Sequence, residues 1–104
     1  MASSEEATGV SDNPALRRYE LHVAGQLAGF AEYRSVRGRL IFTHTEIDPA
    51  FEGRGLGGRL AKGTLDDVRA RGLVLTPLCP FIAAYIRRHP EYADLVAPGR
   101  TGQA

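Results

Sequence analysis

Polar and apolar residues alternate along residues 17–23, with Tyr19, Leu21 and Val23 on one face, as they do in a half-buried strand. Ala24-Gly25-Gln26 supplies a turn, and a second strand is predicted over 27–36. Another turn at Arg37-Gly38 leads to a third strand over 39–47, in which Leu40 and Phe42 give way to smaller Thr and His residues. Together these predict an antiparallel meander of three strands. Asp48-Pro49 ends it, because proline cannot donate to a sheet ladder.

From residue 56 the period changes. Leu56, Leu60, Ala61, Leu65 and Val68 share one side of a helix that runs to about residue 71, and Gly72 stands where such a helix stops. Residues 73–78 are nearly all apolar and read as a buried strand, parallel to the third through the helical crossover. A second helix follows, with Cys79 at its N-cap and Pro80 at its first position, and Pro90 ends it. The order β-β-β-α-β-α predicts an α+β domain with a mostly antiparallel sheet and one parallel pair around a glycine-rich turn. Its expected span is 15–96. Residues 1–14, small and acidic, read as a disordered leader, and 97–104 as a flexible tail.

A chain of 104 residues fits one such domain and no second. The formal charge of +1 is unevenly placed: Glu5, Glu6 and Asp12 fall in the leader and Arg100 in the tail, so residues 15–96 hold 12 bases against 9 acids. Every base except Lys62 is arginine, whose fork of donors suits phosphate, although a compositional bias of the source genome produces the same count. The excess is modest and is not interleaved with aromatics, so no nucleic-acid partner is expected. Cys79 is the single cysteine, which excludes an internal disulfide. The N-terminus lacks the apolar core of a signal peptide, and the longest apolar run, 77–86, is far short of the ~20 residues of a membrane span. A cytoplasmic location, with no membrane partner and no metal, is the expectation.

The most informative stretch is Ile47-Asp48-Pro49-Ala50-Phe51-Glu52-Gly53-Arg54-Gly55-Leu56-Gly57-Gly58. Glycines remove the Cβ atoms that would block an anion, and the first amides of a helix are unpaired and sit at its positive dipole end. The plainer alternative is a glycine-rich turn without a ligand. Gly53, Gly55 and Gly58 also spell the dinucleotide pattern G-x-G-x-x-G, but Thr76 to Cys79 stand where that fold needs an acidic residue, and no Gly-Lys-Ser/Thr follows for a Walker loop.

Strand, Ile-x-Pro and then x-G-R-G-L-G-G opening a helix resembles motif A of the GNAT superfamily of acetyltransferases, Q/R-x-x-G-x-G/A. Glu52, Gly55 and Gly57 occupy its three named positions, with Glu52 in place of the usual Gln or Arg. Ala84-Tyr85-Ile86-Arg87-Arg88 is similar to the second motif, although His89-Pro90-Glu91-Tyr92 replaces its Gly-Phe ending. His44-Thr45-Glu46 before the turn and Leu78-Cys79-Pro80-Phe81 after the last strand resemble the small stand-alone members. The resemblance covers about residues 16–95 and implies that acetyl-CoA is the ligand. Its pyrophosphate would rest on the amides of 53–58 (Gly53, Arg54, Gly55, Leu56, Gly57, Gly58), and its pantetheine arm would run along Glu46 and Ile47.

Acetyl transfer to an amine needs a base, donors to the thioester carbonyl and a proton for the leaving thiolate. His44 and Glu46 share parity on the third strand, so they point to one face and offer themselves as bases; the alternatives are a satisfied histidine and a solvated carboxylate. Cys79 at a helix N-terminus is either a nucleophile, with His44 as partner, or a small buried hydrophobe beside the pantetheine arm. Tyr85, by resemblance to the second motif, would protonate the thiolate. The expected function is an acetyl-CoA-dependent N-acetyltransferase; the alternative is a CoA or acyl-CoA binding module without turnover. The acceptor is open, a protein Lys or a small amine, and so is the choice between monomer and homodimer.

Overall fold

A computed structural model describes residues 7–97. Five strands form one sheet in sequential order: β1 (Thr8–Asn13), β2 (Arg18–Val23), β3 (Gln26–Val36), β4 (Arg39–Ile47) and β5 (Val74–Pro77). The first four pair antiparallel, and β5 joins β4 in parallel through the crossover helix α1 (Leu56–Ala70). After β5 comes α2 (Pro80–Arg88), with Cys79 as N-cap, and a 3₁₀ segment over Pro90–Leu95. Among the described residues no helix is long and apolar enough to cross a membrane.

Four of the five strands and both helices match the sequence reading; β1 does not. Residues 8–13 are an edge strand and not part of a disordered leader, and residues 1–6 and 98–104 lie outside the described residues. The reason is long-range. Thr8, Val10 and Asp12 pair with Val23, Leu21 and Tyr19. Val10 packs against Gly63 of α1, where a Cβ would come within 2.6 Å of it. The Tyr33 hydroxyl donates to Asp12 at 2.6 Å, and Arg71 reaches Asp12 at 3.0 Å. Local composition shows none of these partners. With Asp12 inside the fold, the described residues hold 12 bases against 10 acids, so the basic excess is +2.

Both helices cover one face of the sheet. Tyr19, Leu21, Ala31, Tyr33, Leu40, Phe42 and Leu75 meet the helix residues Leu60, Leu65, Val68 and Ile82 there, all buried. The other face is bare and carries Arg18, Glu20, Phe30, Glu32, His44 and Glu46. One irregularity decides what faces where. Glu32 pairs with His44 and Tyr33 with Phe42, so Thr43 is an extra residue, a bulge in β4. Before it, Leu40 and Phe42 face the helices; after it, Thr45 and Ile47 do, and His44 and Glu46 turn to the bare face.

Candidate functional site

Beyond β4 the chain turns once in a short 3₁₀ segment, Pro49–Phe51, held by the Asp48 side chain accepting from the Ala50 amide at 2.8 Å. Gly53 and Gly55 then adopt φ of +82° and +71°, and a Cβ at either would meet nothing within 4 Å. Their conformation, not crowding, calls for glycine. Gly55 is the N-cap of α1; no side chain caps this end and its first turn holds no acid. The opening amides of a fifteen-residue helix therefore face outward with the dipole's positive end. Glu52 and Arg54 are exposed beside them, with the Arg54 guanidinium 5.4 Å from the Phe51 ring centre.

Gly57 has a different reason. A Cβ there would lie 2.9 Å from the Phe81 ring, whereas one at Gly58 would make ordinary contact with Tyr85 at 3.9 Å. Gly57 lets α2 lean across the start of α1, a packing role that the sequence pattern alone does not separate from ligand access.

β5 pairs only with Arg39, Leu40, Ile41 and Phe42 of β4, and the Cys79 amide closes the ladder on the Phe42 carbonyl at 2.9 Å. Among the described residues, β4 has no strand on its β5 side from residue 43 to 47. That open edge runs straight into the glycine turn, so an extended chain lying along it would lead its anionic end to the start of α1.

The residues expected to do chemistry fall on two sides of this edge. His44 and Glu46 do share a face, 3.4 Å apart and exposed, with the Phe30 ring beside His44. Cys79 is on the other side, only 3% exposed, its sulfur 3.1 Å from the Thr45 hydroxyl. The expected Cys79–His44 partnership is not formed, because the bulge at Thr43 sends His44 away from the helices and presents Thr45 instead. Parity from Leu40 and Phe42 gives no sign of Thr45, since nothing local announces the extra residue. Ile47 faces the helix side and packs on the core. Leu56 is buried and Leu78 lies bare at 65% exposure beside Cys79.

Tyr85 is buried over Gly58, its ring stacked on His89 at 4.0 Å, and burial raises its hydroxyl above the ordinary tyrosine range. It stays protonated at neutral pH. Tyr92 is tied elsewhere: its hydroxyl donates to Asp66 at 2.6 Å.

Residues 18–95 match the family described as GCN5-related N-acetyl-transferase. Among curated proteins, the chain is 33% identical over 69 residues to Protein NATD1 of Mus musculus, covering 64% of this chain and 63% of that protein. It is 35% identical over 57 residues to the Xenopus tropicalis protein of that name, covering 53% and 52%. The chain thus spans about half to under two thirds of the length of these relatives. The NMR structure of a GCN5-like Staphylococcus aureus protein superposes with a TM-score of 0.63 at 18% identity, covering 91% of each chain. The crystal structure of the Escherichia coli ribosomal-protein-S18-alanine N-acetyltransferase gives 0.55 at 25% identity, covering 72% of this chain and 51% of that one.

Proposed function

The chain belongs to the GCN5-related N-acetyltransferase family, and on that premise we propose that it transfers an acetyl group from acetyl-CoA to a primary amine. One observation supports the choice of donor above the others: the unpaired edge of β4 over 43–47 runs into a helix start with no cap of its own. The amides of Gly53 to Gly58 fit a pyrophosphate, and the backbone of Glu46 and Ile47 fits the amide-bearing pantetheine arm. Acetyl-CoA supplies the activated thioester. Glu46, with His44 against it, takes the proton of the acceptor ammonium. Tyr85, held protonated by burial, returns a proton to the departing sulfur. A C–N bond forms as the C–S bond breaks, and the ammonium gives up two protons: the first passes through Glu46 to solvent, and the second, shed by the acylated nitrogen, makes good the one that Tyr85 gives to CoA.

Direct transfer fits this arrangement better than an acetyl-enzyme on Cys79. The Cys79 sulfur is buried against Thr45, and the bases lie on the opposite face of the sheet. Two measurements test the proposal. Calorimetric titration with acetyl-CoA should show one site per chain, and release of free CoA thiol over a panel of amines should show turnover. No acetyl-CoA binding sinks the proposal; binding without thiol release leaves a carrier of acyl-CoA. A mass gain with acetyl-CoA alone that disappears in Cys79→Ala would replace direct transfer by the covalent route.

A further inference from the structure

Where β3 begins and β4 ends, the two strands enclose a cavity of about 220 Å³ lined by Leu27, Gly29, Phe30, Glu46, Ile47 and Pro49 among others. It is built into the backbone. A Cβ at Gly29 would lie 2.6 Å from Ile47 Cδ1 and 2.7 Å from the Glu46 carbonyl, so only glycine lets β3 approach β4 this closely. The Asp48 amide, donating to the Ala28 carbonyl at 2.7 Å, holds the far end.

The walls and the mouth differ in chemistry. Leu27, Phe30 and Pro49 are apolar, and Leu27 keeps 39% of its surface in water with no partner in the core. The charge at the mouth is negative. Among the described residues Glu46 meets only His44, at 3.4 Å, whereas one oxygen of Asp48 already serves the Ala50 amide. The nearby Arg18 is paired with Glu20 at 2.9 Å, its guanidinium 4.5 Å from the Phe30 ring centre. A slot with apolar walls and a carboxylate at its mouth accepts a chain that is apolar along its length and positive at one end, and rejects an anion. Its volume lies below the ~300–1,000 Å³ of pockets that enclose a whole drug-sized ligand, which suits one aliphatic chain.

We propose that this slot seats the acceptor, and that the acceptor is an unbranched alkylammonium whose methylenes lie on Leu27, Phe30 and Pro49 and whose nitrogen meets Glu46. A lysine side chain and a free diamine share that chemistry. The slot and the unpaired edge lie on the two sides of one strand, β4. The role as acceptor seat rests on the acetyl-transfer reading; the binding does not.

Titration of the isotope-labelled full chain with n-butylammonium, followed by amide chemical shifts, should give saturable changes at Gly29, Phe30, Glu46 and Ile47. n-Pentanoate should give none. Glu46→Gln should weaken the amine roughly tenfold or more, as loss of a charged hydrogen-bond partner does. Leu27→Ser, at a half-exposed position that leaves the core intact, should weaken it severalfold, and Glu91→Gln should change nothing. A lysine-containing peptide and 1,4-diaminobutane then separate the two sources by which binds tighter. Absence of saturable shifts with every amine, equal shifts with pentanoate, or unchanged binding in Glu46→Gln each overturn the slot. Acetyl-CoA calorimetry on the same sample separates the two readings: amine binding without acetyl-CoA binding ends the transferase reading and keeps an amine site, and the reverse ends the slot alone.

Discussion

The two ends of α1 are built on opposite plans. At its C-terminal end, Asp67 accepts from the Tyr19 hydroxyl at 2.6 Å and pairs with Arg71 at 2.9 Å, and Arg71 also holds Asp12, which in turn accepts from Tyr33. Three strands and the helix are joined there by side chains that satisfy one another. The N-terminal end has two left-handed glycines, no capping side chain and no acid. Polar groups are closed off where the fold must hold and left open where a ligand is to supply the partner. The contrast teaches that stability and binding are separable along a single helix.

Asp12→Ala should strike hardest at the closed end. It strands the Tyr33 hydroxyl and takes from Arg71 one of its two carboxylates, at a site only 7% exposed, at a cost of about 2–3 kcal/mol in urea unfolding. Acetyl-CoA affinity per folded molecule should not move; a parallel fall in affinity would break the contrast. Gly55→Val should do the reverse. A β-branched residue at φ of +71° costs roughly 1–2 kcal/mol of strain, and acetyl-CoA affinity by calorimetry should fall more than tenfold. Unchanged affinity would remove the helix start from the binding site.

Alkaline titration sharpens the same comparison. Burial, then the bond to Asp12, pushes Tyr33 up to about 12 from 10.0, so the folded chain holds this proton longer than the unfolded chain. The stabilisation is complete below pH 10 and is lost as pH rises toward 12. The tyrosinate absorbance and the unfolding midpoint should shift together in that window, and Tyr33→Phe should abolish its share of both. The smallest effect belongs to the exposed middle of α1: Lys62→Ala, breaking the surface pair with Asp66, should leave the unfolding midpoint and the acetyl-CoA affinity within error.

Legibility in the sequence followed the range of the forces. β4, the start of α1, the Cys79 N-cap and the stop at Pro90 were readable because parity, helical period, glycine and proline act within a few residues. β1 was not readable: Thr8–Asn13 has Val10 as its single large apolar residue, and its place is fixed by Tyr33, Gly63 and Arg71, distant in the chain. The 3₁₀ segment Pro90–Leu95 was missed for the same reason, since Tyr92 and Asp94 are held by Asp66 and Arg69. At the site, the shared face of His44 and Glu46 was legible, and which face it was depended on the bulge.

That bulge makes residue 43 a frame-setting position. Upstream, even-numbered side chains turn to the helices; downstream, odd-numbered ones do. Exchanging Thr43 for another exposed residue leaves both frames standing. Deleting it would leave a regular ladder, with Tyr33 still on Phe42 and Glu32 still on His44, and keep both frames; flattening the bulge with Thr43 in place, so that Thr43 pairs with Glu32, would bring His44 and Glu46 round to the apolar side and put Thr45 and Ile47 in water, undoing the Cys79 contact and emptying the amine slot of its carboxylate at one stroke. At this point in the chain, the register of pairing carries more functional information than the kind of residue.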